Sequence, residues 1–222
     1  MSTVIIDEAM RVPDSVVDLE SFREWVYSED FPEHGKVAFI QGEVWVEMNA
    51  ERLQSHVGLK TNLHAVLSRL IDGLDLGLFY GDGALWTNSA ADISNIPDGL
   101  FIAWDSLDTG RVRIVGRPDE AVEVEGSPDL VLEVVSRSSV RKDTLTMPEA
   151  CFAAGVREYW LVDARSGDID FRILRRGARG YRAAPDKAGW KRSAVLGREF
   201  RLVSRPARHG LTRYELQVRE IE

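Results

Sequence analysis

The sequence predicts an α/β (α+β) fold: a mixed central β-sheet flanked by helices, with antiparallel hairpins at both ends. Three observations predict it. Residues 53–71 carry Leu59, Leu63, Val66, Leu67 and Leu70 at helical spacing. Residues 130–135 form a short apolar run bounded by turn residues, as a buried strand does. Beyond Asp168, short alternating runs recur at turn-like spacing, as in antiparallel strands. The order helix, hairpin, helix, meander, strand, helix, strand, hairpins then gives the architecture.

In chain order, residues 1–17 read as a loose arm. Residues 19–27 read as a short helix with Leu19, Phe22 and Val26 on one face. Residues 36–48 read as a hairpin turning at Gln41-Gly42, with Val44 and Val46 alternating against Glu43, Trp45 and Glu47. The long helix stops at Gly73. Strands follow at 76–80, 84–87 and 99–103, then a polar loop over 105–126 with a weak strand near 112–115. After the strand at 130–135, Thr146-Met147-Pro148-Glu149 reads as a helix start, with Thr146 as N-cap and Glu149 closing a capping box. That helix ends at Ala153-Ala154-Gly155, and a strand begins near Tyr159. Strands at 171–174, 181–183, 193–196 and 200–202 complete the pattern. The expected organisation is an arm (1–17), a main domain (18–175) and a β-rich extension packed on it (176–222).

The 222 residues, 44% hydrophobic and 29% charged, are ordinary for a soluble globular domain with a sizeable core. No apolar run approaches the roughly 18 residues of a membrane span, and residues 1–13 are too polar for a secretory signal. The single cysteine, Cys151, rules out an intramolecular disulfide and a cysteine-based zinc site. These features point to a cytoplasmic protein without membrane partners. The net charge of −8 disfavours a DNA-coating protein. Positive charge is concentrated between Arg172 and Arg208, either as a solvated strand surface or as a nucleic-acid contact.

The chemistry is carried by two acids. Glu133 is planted inside the apolar run Leu130-Val131-Leu132-Glu133-Val134-Val135, and Asp98 follows Pro97 ahead of Gly99-Leu100-Phe101-Ile102. A buried charge costs several kcal/mol unless it is paired or metal-bound. Two strand carboxylates therefore suggest a shared hard cation, Mg²⁺ or Mn²⁺, with the Val134 carbonyl as a third ligand. Taken singly, Asp98 also reads as a turn residue after proline, and Glu133 as a carboxylate on a solvent face.

The segments Pro128-Asp129-Leu130-Val131-Leu132-Glu133-Val134-Val135-Ser136, Arg141-Lys142-Asp143 and Ala154-Gly155-Val156-Arg157-Glu158-Tyr159-Trp160-Leu161-Val162-Asp163 resemble the Uma-type putative restriction endonuclease family of the PD-(D/E)XK nuclease superfamily. The resemblance covers roughly residues 18–175. It implies a restriction-endonuclease-like core and a metal-dependent DNA endonuclease, with Asp98 and Glu133 as catalytic acids and Mg²⁺ (or Mn²⁺) as cofactor. A homodimer suits double-strand cleavage. The family's catalytic lysine falls at position 147, which here is Met147, so the resemblance also implies an impaired site. On a continuous α-helix Lys142 and Arg141 point well over a right angle away from position 147, and Lys60 is a conceivable substitute.

Other polar residues have plainer readings. Asp129 leads into its strand, Ser136, Ser138 and Ser139 cap the following turn, and Asp143 reads either as a contact to that loop or to a lysine or, more plainly, as a solvated charge. Glu43 is an ordinary hairpin residue. His56 and His64 are two turns apart, too far to chelate one ion, and are half-buried helix residues. His34 and His209 lie in loops, and Tyr159 and Trp160 belong to the core. Besides a nuclease, the sequence admits a catalytically inactive relative that binds nucleic acid, and a protein-interaction module favoured by the acidic balance.

Overall fold

The computed structural model describes residues 5–7, 10–32, 35–47, 51–117 and 119–221. A small antiparallel pair, β1 (Ile5–Asp7) and β2 (Met10–Arg11), comes first. Helix α1 (Leu19–Val26) is closed by a capping box between Asp18 and Ser21 and buries Leu19, Phe22 and Trp25. Trp25, and not the expected Val26, completes its inner face, because the helix packs on aromatic partners: the Trp25 ring sits 4.9 Å from that of Phe31. The hairpin is β3 (Lys36–Ile40) and β4 (Glu43–Glu47), turning at Gln41 and Gly42, both with positive φ. Such a two-residue turn matches the twist of the paired strands. Met48, like His34, lies outside the described residues.

The long helix begins with a π-helical turn (Leu53–Gly58) and continues as α2 (Leu59–Gly73). Its buried stripe is Leu59, Leu63, Leu67 and Ile71, each worth about 1.5–3 kcal/mol of burial. Then come β5 (Gly77–Tyr80), β6 (Leu85–Asn88), β7 (Ile93–Asn95) and β8 (Gly99–Ala103). The expected loop at 105–126 is more ordered than its composition suggests. It holds α3 (Trp104–Asp108), β9 (Val112–Val115) and β10 (Glu123–Gly126). Pairing of β10 with β6 and β9 overrides a charged sequence that has little strand propensity of its own.

Strand β11 (Leu130–Val134) leads through a serine-rich turn to a π-helical segment (Lys142–Thr146) and α4 (Met147–Ala153). The α-helix proper begins at Met147 as expected, but Thr146 has helical dihedrals and makes no side-chain cap, so the expected capping box there does not form. The helix already exists upstream, and Pro148 is tolerated because the widened π turn removes the carbonyl contact that a proline would break. The capping box lies earlier. Ser136 Oγ accepts from Ser139 N (3.0 Å), and Ser139 Oγ accepts from Ser136 N (2.9 Å). Strand β12 (Glu158–Asp163) then runs parallel to β11. The chain ends with β13 (Asp170–Arg176), β14 (Tyr181–Ala183), β15 (Asp186–Lys187), β16 (Trp190–Ser193), β17 (Arg198–Pro206) and β18 (Thr212–Arg219). The strand expected at 193–196 sits a few residues earlier, and β18 lies beyond the last strand that the sequence pattern predicts.

Two mixed six-stranded sheets result, ordered β4-β3-β7-β6-β10-β9 and β14-β13-β12-β11-β8-β5, beside an antiparallel sheet β15-β16-β17-β18. Strand β11 is buried on both faces. Leu130, Leu132 and Val134 pack with α2, and with Phe200 and Leu216 of the C-terminal sheet. Val131 and Val135 pack with Met147, Ala150 and Cys151. Glu133 therefore points to the α4 side.

Glu158 ties the C-terminal sheet to this core. Its Oε2 accepts from Trp160 Nε1 (3.0 Å) and Ser193 Oγ (2.7 Å), and its Oε1 accepts from Ala194 N (2.6 Å). Removing a buried carboxylate strands all its donors at once. Glu158→Ala is expected to lower the unfolding free energy by about 3 kcal/mol, read as a reduced urea midpoint.

Candidate active site

The site forms where a strand ladder runs out. Strands β8 and β11 pair antiparallel with Leu132 opposite Gly99. Continued two residues, that register sets Val134 opposite Pro97, which has no N–H to give. Val134's backbone groups on that side must therefore be satisfied by side chains. Asp98 Oδ2 accepts from Val134 N at 2.8 Å, and the Val134 carbonyl meets His56 Nε2 at 2.6 Å. Since a carbonyl oxygen can only accept, His56 carries its proton on Nε2.

The two expected acids are brought together. Asp98 N donates to Glu133 Oε2 at 3.3 Å, and Asn95 Nδ2 donates to Glu133 Oε1 at 3.1 Å. Both carboxylates are buried. Asp98 is compensated by two lysines from different elements. Lys36 Nζ of β3 lies 2.6 Å and Lys60 Nζ of α2 lies 3.4 Å from Asp98 Oδ1. Burial pushes the Asp98 carboxyl up, but the two ammonium groups outweigh it and hold it well below the usual carboxylate range. The same attraction raises Lys36 against its own desolvation.

Asp82 and Glu51 close the network. Asp82 bridges Lys36 and Lys60, each at 3.1 Å, from a turn in which it adopts positive φ. Glu51 lies 2.9 Å from Lys60 Nζ and 2.9 Å from His56 Nδ1, although the latter contact lacks the alignment of a hydrogen bond. His64 Nε2 meets the Asp98 carbonyl at 2.6 Å. Its ring fits because Gly81 has no side chain: a Cβ there would fall 2.6 Å from His64 Nδ1.

His56, Lys60 and His64 thus form a polar stripe at four-residue spacing, pointing at the strand ends. The two histidines of the stripe bind two separate backbone carbonyls, those of Val134 and Asp98. The available signal was polar residues recurring every four positions beside a leucine stripe.

Glu133 faces a third lysine. Burial raises the Glu133 carboxyl well above its ordinary value, and the nearby Lys142 charge opposes that rise. Lys142 is itself buried, ion-paired to Glu47 and 3.5 Å from Asp143 Oδ1. Position 142 reaches this face because the Met147 N–H donates to the Lys142 carbonyl, an i→i+5 bond of the π turn. The extra residue in the turn brings 142 beneath 147. On a regular helix the two would be about 140° apart. Met147 is fully buried in the apolar cluster on that side.

Asp143 is buried and not the solvated charge that its sequence context suggests. Asp129 caps strand β8 through Ala103 N (2.8 Å) and pairs with Arg111 and Arg157, so it supports the sheet and lies apart from the acids. Several arginines of the C-terminal stretch are engaged locally. Arg172 pairs with Asp170 at 2.5 Å, and Arg201 binds Gln217 and stacks on Trp190.

The donor types suit a hard divalent cation: two buried carboxylate residues joined by an amide contact, with a backbone carbonyl beside them. Among the described residues no three His, Cys, Asp or Glu side chains form a ready cation cage. Mg²⁺ does not need one, since it commonly uses one or two carboxylates and completes its shell with water and substrate phosphate.

The chain is a mixed α+β protein whose sheets are flanked by helices, with two buried acids at the end of a central strand. The chain belongs to the Uma2 family, described as putative restriction endonuclease, whose model matches residues 19–204. A crystal structure of a putative nuclease belonging to DUF820, from Anabaena variabilis ATCC 29413, is similar in fold. It has a TM-score of 0.58 at 14% identity, and the match covers 81% of this chain and 90% of that one. No curated protein matches. No helix among the described residues is long and apolar enough to cross a membrane.

Burial raises the Asp143 carboxyl from 3.8 to about 7. The folded state then binds this proton more tightly than the unfolded chain does. The associated stability is complete below about pH 4 and is lost as pH rises towards 7. Asp143→Asn does not titrate. Its stability relative to the parent chain is expected to improve over that window by up to about 4 kcal/mol, measured by urea unfolding at the two ends.

Proposed function

We propose that the chain is a divalent-metal-dependent endonuclease that hydrolyses phosphodiester bonds in DNA. The observation that carries this reading is the meeting of Asp98 and Glu133 at the Val134 end of β11. Asp98 and Glu133 would hold Mg²⁺ or Mn²⁺, with the Val134 carbonyl available through its second lone pair. The ion would neutralise phosphate charge and lower the pKa of a water.

The chain's own groups prepare the rest. His56 fixes the Val134 carbonyl, and Asp98 fixes the Val134 N–H, so neither carboxylate can swing away without breaking a backbone contact. Lys36 and Lys60 neutralise the pocket, and either can turn from Asp82 to a substrate phosphate, since Asp82 is partly exposed and replaceable. Lys142 sets positive charge against Glu133 from the face where the family's lysine is missing. On this reading Met147 does not by itself abolish cleavage. A two-fold pair of chains would suit cutting of both strands.

A second reading is favoured by Met147 alone: a relative that binds nucleic acid without cutting it. Plasmid nicking separates the two. Metal-dependent nicking is expected in Mg²⁺ or Mn²⁺, suppressed by EDTA and reduced at least 100-fold in Glu133→Gln, on the scale of removing one group that stabilises transition-state charge. Nicking that is absent in both metals, with DNA binding retained, would leave the second reading. Lys142→Met is expected to lower nicking, and Lys142→Met/Met147→Lys to restore part of it. The double variant returns an ammonium to the same helix face.

A further inference from the structure

A cleft of about 400 Å³ opens beside the acids, at the C-terminal ends of the parallel strands β11 and β12. Ligands in open α/β sheets gather at such strand ends. Its walls come from three segments. Arg52 and His56 enter from the π turn before α2, Ser136 and Arg137 from the turn after β11, and Arg165 from just beyond β12. His56 belongs to both places, since its Nε2 holds the Val134 carbonyl.

The cleft is cationic in a chain of net charge −8. Arg165 is fixed in place by two contacts to Asp163, at 3.0 and 2.8 Å, and Arg52 Nη1 donates to the Arg165 carbonyl at 3.0 Å. Among the described residues, neither Arg52 nor Arg137 has a carboxylate partner. The one acid in the wall, Glu51, is already engaged by Lys60. Two guanidiniums without a carboxylate partner line one cleft, and such groups suit phosphodiester oxygens in charge and in their forked donor pattern.

We propose that this cleft binds a nucleic-acid backbone phosphate adjacent to the scissile one, gripped by Arg52 and Arg137. The proposal rests on the nuclease reading for the word scissile, but the phosphate site stands without it. Arg165 is a positioning residue: it holds the wall against which Arg52 leans.

The test is oligonucleotide binding in EDTA, read by fluorescence anisotropy over a salt series, so that no cleavage intervenes. Arg52→Gln/Arg137→Gln is expected to weaken affinity roughly tenfold and to reduce the slope of log affinity against log salt by about 2, one for each guanidinium removed from a phosphate. Arg137→Lys should keep the slope and lose part of the affinity. Both arginines are exposed, so the variants retain the fold, which a thermal melt checks. Unchanged affinity and slope in the double variant would overturn the proposal. Competition by inorganic phosphate or a mononucleotide as strong as that by the oligonucleotide would overturn the assignment to a nucleic-acid strand. Lost binding in a chain that never cleaves would sink the nuclease reading and leave the cleft standing; cleavage with unaltered affinity would do the reverse.

Discussion

The site depends on one interrupted ladder. Proline at position 97 deprives Val134 of its cross-strand donor, and the fold answers with side chains: the Asp98 carboxylate on the N–H and the His56 ring on the carbonyl. A buried peptide group left without partners costs about 1–3 kcal/mol. These two residues are therefore held in place by the sheet's own hydrogen-bonding requirement. Precise positioning of functional groups then follows from a backbone need, and the Asp98 amide, freed at the same point, reaches back to Glu133.

Electrostatics sets the second constraint. Two buried carboxylates side by side repel, and burial penalises both. The structure resolves this asymmetrically. Asp98 receives two lysines and stays ionised, whereas Glu133 has neutral donors at its oxygens and the more distant charges of Lys142 and Lys36. Burial therefore outweighs the nearby positive charge on the Glu133 side. A cation held between the two acids would favour the ionised form of Glu133.

The sheet content and the paired acids were legible because they follow from local rules: an amphipathic stripe, an apolar run, a charge where a charge is costly. Of the lysines, Lys60 was noted from its helix, but Lys36 was not legible. Lys36 reaches Asp98 from a hairpin 62 residues earlier, and nothing in Lys36-Val37-Ala38-Phe39-Ile40 marks it as other than a strand's first polar residue. β10 and β18 escaped for a related reason, since their order comes from pairing with β6 and β17 and not from propensity.

Lys142 escaped because the helix was read at 3.6 residues per turn. Spacing arguments assume a regular helix, and here both helices that face the acids begin with a π turn, at 53–58 and at 142–146. Each π turn inserts one residue and rotates everything upstream of it relative to the helix downstream. In the first, this carries His56 to the strand end while the leucine stripe of α2 keeps its core face. In the second, it carries Lys142 beneath Met147, so an apolar residue occupies the core position and the charge arrives from one turn below. A methionine at the family's lysine position is then consistent with an ammonium still lying on the Glu133 side. Loss of a residue type at one sequence position is evidence of lost chemistry only where the backbone register is known.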